Sequence, residues 1–347
     1  MKTAIALIMS ITLVGINVVT NQPRANAFPT NKLLTQTSLA ANSKQESAVL
    51  FPILKNGKWG FIDKNGKVIV KPKYDEVRNF SEGLAAVKLG NKLGYIDTKG
   101  KQVIPTVFDE GYFFLEGIAG VRIGNKFGFI DKTGKTVIPI QFDEIWEGFS
   151  EGLAAVQIRG KWGYIDTTGK IVIPVQFDST PTFTEGLAVV GVRGKFGYID
   201  KTGKMVIPPQ FDIGLFFVEG MAGVLIDGKW GYIDKTGKIV IEPQFKETWG
   251  FSEGLAAANM RGKWGFIDKT GNFVIEAKFD DAVGFSEGLA PVQLGNKQGY
   301  IDQTGKMVIQ PQFDRAHGFI HGLAAVTLNG KEGYIDTLGN LVWKYSQ

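Results

Sequence analysis

The tetrapeptide Gly-aromatic-Ile-Asp recurs along the chain, ending at Asp63, Asp97, Asp131, Asp166, Asp200, Asp234, Asp268, Asp302 and Asp336. The step is 34 residues throughout except for one of 35, whose extra residue falls within 144–148. A fixed period of this length means one supersecondary unit written repeatedly, each copy completing its core against a neighbour. The repeating part of the 347 residues is therefore one array of nine copies rather than the two or three domains that length alone suggests.

A helical array of the same period is excluded. It would need apolar residues at three- and four-residue spacing over long segments poor in Gly and Pro. Here the 45 Gly and 13 Pro fall at fixed places in the copies, and the apolar positions alternate. Each copy is read as a three-stranded meander, for example residues 153–158, 161–166 and 170–174. Arg159-Gly160 turns the first hairpin and Asp166-Thr167-Thr168-Gly169 the second. Gly or Asn accepts the positive φ of a two-residue hairpin. Asp at the first place of an Asp-x-x-Gly turn bonds the turn backbone, with Gly in the left-handed place. Pro174 is read as the strand exit, where a missing amide costs little. A loop of the form Gln-Phe-Asp-x-x-x-x-Phe-Ser-Glu-Gly follows each meander, with Lys246 in the Asp place of one copy.

The amino-terminal segment reads as an address. Lys2 precedes an apolar run over residues 4–19, and Ala25-Asn26-Ala27 supplies a small-x-small cleavage site. The run falls short of the ~20 residues of a bilayer span, so residues 1–27 are expected to be a cleaved Sec-type signal peptide, leaving no membrane span. Residues 28–47 are polar and without apolar period, the composition of a flexible linker. Residues 48–347 hold the repeats. The destination is periplasmic or extracellular. Loss of Lys2 and Arg24 lowers the formal charge from +5 to +3, and export of a nearly balanced chain argues against nucleic acid as partner.

The copies Lys58-Trp59-Gly60-Phe61-Ile62-Asp63, Lys161-Trp162-Gly163-Tyr164-Ile165-Asp166, Lys229-Trp230-Gly231-Tyr232-Ile233-Asp234 and Lys263-Trp264-Gly265-Phe266-Ile267-Asp268 resemble the WG (KWG) repeat family of bacterial proteins. The runs such as Phe251-Ser252-Glu253-Gly254-Leu255-Ala256 belong to the same pattern. The resemblance spans the mature chain and implies an all-β repeat protein, often exported, with no catalytic residues to transfer. The Trp place is taken by Leu93, Phe127, Phe196, Gln298 and Glu332. The last two are polar where an aromatic is otherwise expected to be buried, so the carboxy-terminal copies are read as a polar cap. With all copies in phase and no blade split between the termini, the expected architecture is an open, curved or superhelical β-array. A closed propeller-like ring is the alternative.

The nine turn Asp residues lack the further ligands of a calcium loop and are read as turn formers. Glu82, Glu116, Glu151, Glu185, Glu219, Glu253 and Glu287 form a second series, with His321 in the eighth place. Seven equivalent carboxylates suit a structural bond to loop amides better than catalysis, which needs unlike environments at one site. The Trp and Tyr of the second strand are read as inter-repeat core. One position varies freely: the third residue between the loop Asp place and the loop Phe reads Arg78, Tyr112, Trp146, Pro181, Leu215, Trp249, Val283 and His317. Arg78, Tyr112, Trp146, Trp249 and His317, with the neighbouring Phe113 and Phe216, are the candidate partner-binding residues. Variation on a constant scaffold marks recognition, and Trp, Tyr and Arg dominate interface energetics. The simpler reading is that these side chains fill gaps beneath the loops. A longer period is also visible, because residues 111–123 are echoed by 214–226 and Trp146 by Trp249.

These residues point to an exported, non-enzymatic scaffold that binds a protein partner. The second reading is a glycan-binding array of the cell envelope, since the hairpins are loosely similar to the choline-binding repeats of cell-wall proteins. An enzyme is not expected: there is no Cys, only two His, no Ser-His-Asp set and no phosphate loop, and no cofactor is implied.

Overall fold

The structure, a computed structural model, describes residues 49–344. The expected signal peptide and linker lie outside the described residues. The first sheet contains β1 (Phe51–Lys55), β2 (Lys58–Ile62) and β3 (Val68–Tyr74). The second contains β4 (Glu76–Val77), β5 (Leu84–Leu89), β6 (Lys92–Asp97) and β7 (Gln102–Phe108), each strand antiparallel to the next. The same unit repeats to give nine sheets, numbered here as blades 1 to 9 in chain order.

Two expectations about the unit are corrected. Each complete blade has a fourth strand, formed by only two loop residues such as Glu76–Val77 or Glu110–Gly111. In blade 5 it shrinks to a single bridge, Ser179 to Gly191. The long strand also runs on past its proline: Ile171–Phe177 contains Pro174, and Gln102–Phe108 contains Pro105. That strand lies at the sheet edge, where Pro removes no ladder bond, and the register slips on either side of Tyr164↔Ile173 show the strand bulging there. The bulge explains the glycine after the Trp place. A Cβ on Gly163 would lie 2.6 Å from the carbonyl oxygen of Ile173, so the crossing strand leaves no room for a side chain.

The two middle strands are buried on both faces, because each sheet is packed between two others. Leu153–Ile158 and Lys161–Asp166 each bury four consecutive residues, whereas the edge strand buries Ile173 and Phe177. Core clusters accordingly mix neighbouring blades: Leu84, Ala86 and Tyr95 of blade 2 pack with Phe114, Ala119 and Val121 of blade 3. The reading of the second-strand Tyr residues as inter-repeat core is borne out, with Tyr95, Tyr164, Tyr198, Tyr232 and Tyr300 fully buried.

The expected open array is overturned. The nine blades close into a ring, a nine-bladed β-propeller. Phe51, Ile53 and Ile62 of blade 1 form one core cluster with Leu323 and Tyr334 of blade 9. The turn glycine of every other blade leans on the preceding blade, as Gly100 does on Val70 and Gly339 on Ile309. Gly66 of blade 1 likewise leans on blade 9, but on the backbone oxygen of Val342 rather than on an aliphatic side chain, so the ring closes there through a contact of its own. Among the described residues the termini exchange no strand between blades; closure is by packing of sheet faces. In-phase copies therefore do not imply an open end. The polar-cap reading falls with the open array, since blade 9 is covered by blade 1. Gln298, in a Trp place, accepts a bond from the Ala316 amide at 2.5 Å.

Candidate functional site

Three polar series hold the blades and loops in register, and each traces to a fixed place in the repeat. In the turns, Asp63 Oδ1 accepts from the amides of Asn65 and Lys67 at 2.9 Å each, as a turn former should. Where the turn carries Thr, its hydroxyl also donates, as Thr133 does to Asp131 at 2.6 Å, and holds that carboxyl below its usual value of 3.8.

A second series joins blades at the hairpins. Asp75 Oδ1 accepts from Lys58 Nζ at 2.5 Å and Oδ2 from the Gly90 amide at 2.7 Å, so one carboxylate ties blade 1 to blade 2. The Lys58 ammonium, then the Gly90 amide, hold Asp75 below 3.8. The pairs Lys92–Asp109, Lys126–Asp143, Lys161–Asp178, Lys195–Asp212, Lys263–Asp280 and Lys297–Asp314 repeat it. Sequence reasoning missed this series, although a constant Lys-to-Asp spacing of 17 marks it. In one place the Asp is Lys246. There Asn259, buried, accepts the Gly262 amide at 3.0 Å, which replaces the lost hairpin bond but not the partner of Lys229.

The third series is the glutamates, and their expected role is borne out across blades rather than within one. Each accepts from the loop Gly amide of the next blade, from Gly117 onto Glu82 through to Gly322 onto Glu287, at 2.8–3.1 Å. The following turn often adds a donor: Lys132, Lys201, Lys235 and Lys269 pair with Glu82, Glu151, Glu185 and Glu219 at 2.9–3.2 Å. Among the described residues no group of three or more acidic or His side chains is arranged to hold a metal ion.

The varying residues sit where the short strand meets the loop, one per blade from blade 2 to blade 9. Their backbone is clamped. The amides of Arg78, Tyr112, Trp146, Leu215, Trp249, Val283 and His317 donate to the facing strand at 2.9–3.2 Å. The carbonyls of Tyr112, Leu215, Trp249 and His317 accept from the hydroxyls of Tyr95, Tyr198, Tyr232 and Tyr300 at 2.6–2.9 Å. The loop Phe two or three residues on is driven beneath, its ring 5.0 Å from that of the preceding blade's aromatic in the pair Tyr95–Phe114. The side chains themselves are not dictated by any of these bonds.

Closure of the array turns the expected line into a ring and sorts the candidates. Arg78 and Tyr112 meet across blades 2 and 3, the guanidinium 5.5 Å from the Tyr112 ring and 5.8 Å from that of Phe113. Trp146 follows on blade 4, half-buried, with the extra residue of the long interval beside it as Glu147 at φ 51°. Trp249 lies three blades further and stacks on Trp264 with centroids 6.4 Å apart. Phe216 on blade 6 and His317 on blade 9 are half-buried and stand apart from the Arg78–Trp146 arc. Arg78, Tyr112 and Phe113 are thus brought together; Trp146 packs on the cores between blades 4 and 5 and between blades 5 and 6, and Trp249, Phe216 and His317 lie further round the ring.

No curated protein matches the chain. In fold it is similar to a crystal structure of the eukaryotic initiation factor, at 12% identity over 87% of this chain and 98% of that one, with a TM-score of 0.64. Dihydro-heme d1 dehydrogenase NirN in complex with DHE is more distant, at 12% identity over 87% of this chain and 74% of that one, TM-score 0.48. So is Kluyveromyces lactis Hsv2, at 8% identity over 67% and 94%, TM-score 0.42. At such identities only the fold is shared. The WG-containing repeat matches eight times in tandem, at residues 59–92, 94–127, 127–162, 162–196, 196–230, 230–264, 264–297 and 299–331. Nine Trp places bound these eight intervals, which accounts for eight matches on nine blades. Constant landmarks in register over most of its length make the chain a member of the WG-containing repeat family.

Proposed function

We propose that this protein is an exported, non-enzymatic binding module that takes a protein partner on the arc of Arg78, Tyr112, Phe113 and Trp146, with Trp249 as a second anchor. The observation that supports this is the separation of backbone from side chain at the varying position. The amide is held by the facing strand, and in the copies preceded by Tyr the carbonyl is held by that hydroxyl, while the side chain changes from blade to blade. Such an arrangement presents different groups from one rigid frame, and the arc gathers the residue types that anchor protein interfaces. A protein is favoured over a glycan because Trp249 has one ring face taken by Trp264 and Trp146 is half-buried, leaving little of the open ring face that sugar stacking uses. Action in the periplasm or outside the cell rests on the amino-terminal address.

The test is crosslinking capture from an envelope fraction with the mature chain, beside a glycan array. Arg78→Glu with Trp146→Ala is expected to abolish capture while the far-ultraviolet spectrum is retained. Undiminished capture by a folded double variant overturns the assignment of the arc. Binding on the array alone selects the glycan reading.

A further inference from the structure

Seven of the nine blade junctions hold a glutamate in the same setting: its carboxylate sits against the next blade's loop amide, and at four of them against a lysine of the next blade's turn. The ring contains a built-in template for what that setting binds. At the seam between blades 9 and 1 the template is broken. The glutamate place is His321, while the turn lysine is retained as Lys64, which follows Asp63 as Lys132 follows Asp131. Lys64 and His321 line one cleft of about 540 Å³, together with Asn65, Leu323, Asn340, Leu341 and Val342. Among the described residues no carboxylate forms an ion pair with Lys64 or with His321. Asp336, the acidic residue of the cleft, is engaged by its own turn: Oδ1 accepts from the amides of Leu338 and Asn340 at 3.0 and 2.8 Å, and Oδ2 from Asn340 Nδ2 at 3.0 Å.

We propose that this seam cleft is a binding site for an acidic peptide, whose carboxylate takes the place of the missing glutamate beside Lys64. The chemistry follows from the lining. Lys64 and His321 offer donors to the acid, and Leu323, Leu341 and Val342 offer an apolar wall to an aliphatic stem, the combination that a glutamate side chain presents. Because the seam is unique among the described blade junctions, the ring offers one such site there. It is distinct from the Arg78–Trp146 arc, and its failure would leave that reading untouched.

The mature full chain is titrated with a fluorescein-labelled hexaglutamate peptide, read by anisotropy, with hexaglutamine as control. Saturable binding of the glutamate peptide alone is expected. Lys64→Ala should weaken it about tenfold, the scale of one charge-assisted contact, while Lys331→Ala, an exposed lysine elsewhere on blade 9, should leave it unchanged. His321→Glu restores the template within the chain; it should abolish binding and raise the melting temperature. Equal binding of hexaglutamine, equal loss in Lys331→Ala, or unaltered binding in both Lys64→Ala and His321→Glu overturns the proposal. The thermal shift of His321→Glu is measured on the same sample, so a misfolded variant is recognised by its lowered, not raised, melting temperature.

Discussion

The hydroxyl of Tyr334 donates to the carbonyl oxygen of Pro52 at 2.9 Å, joining residues 282 positions apart across the seam of the ring. Elsewhere the same hydroxyl reaches the varying residue of the next blade, as Tyr95 reaches Tyr112. Blade 1 has no short strand among the described residues, so Tyr334 turns to the first full strand instead. Its ring also packs on Phe51, with centroids 5.5 Å apart. Tyr334→Phe keeps that contact and strands a carbonyl. It should cost about 1–2 kcal/mol and speed amide exchange over residues 51–62. Exchange rates unchanged in blade 1 would show that the bond does not hold the seam.

The glycine of the Trp-Gly pair is set by space rather than by φ. Gly163→Ala places a Cβ 2.6 Å from a backbone oxygen and should cost about 3 kcal/mol. Gly160, at φ 77°, has nothing within 4 Å of its Cβ position. Gly160→Ala should cost only about 1 kcal/mol, through left-handed backbone strain. Urea denaturation of the two variants compares them; a reversed order would refute the bulge explanation.

Lys246 interrupts the Lys–Asp series opposite Lys229. Lys246→Asp should pair with Lys229 and stabilise by at most about 1 kcal/mol, a gain removed by high salt. The hairpin bond is already supplied by Asn259, so the gain comes from the ion pair alone. Thermal melts at low and high ionic strength read this difference.

Acid should weaken the ring in a defined direction. Asp75, Asp109, Asp143, Asp178, Asp280 and Asp314 are held below 3.8, first by their lysine partners and then by hairpin amides. A carboxyl depressed in the fold takes up its proton first in the unfolded chain. The stabilisation is therefore present above the usual carboxyl value of 3.8 and is lost as pH falls through the lower folded values. Stability measured as pH is lowered through them should fall progressively, and Asp75→Asn together with Asp109→Asn should make the fall shallower. Equal slopes would count against the series.

Much of the repeat was legible because its bonds are local. Asp63 and its eight equivalents were readable as turn formers from four residues each. The glutamates were readable as loop fasteners from their equivalence. The short strand was not: Glu110–Gly111 is two residues inside a loop with no alternation to reveal it. The edge strand was cut short at Pro174 because proline ends a strand only where an amide is needed, and an edge needs none. Of the candidate residues, the variation at Arg78, Tyr112 and Trp146 was visible in the sequence, but the meeting of Arg78 with Tyr112 was not. Lys64 and His321 stand 257 positions apart and meet only because the array closes.

By itself the sequence determined the period, the antiparallel hairpins, the places that tolerate only glycine, and the turn Asp and loop Glu side chains that bond backbone amides. Each of these depends on contacts within a copy or with its neighbour, and the 34-residue step writes them again in every copy. Tertiary structure alone decided that the array closes, that nine blades fill the turn, and that the last copy meets the first. Closure is the sum of nine rotations between packed sheets, each set by how side chains of two faces interlock. No single copy encodes that sum, so the ring, its seam and the cleft within it exist only in the folded whole.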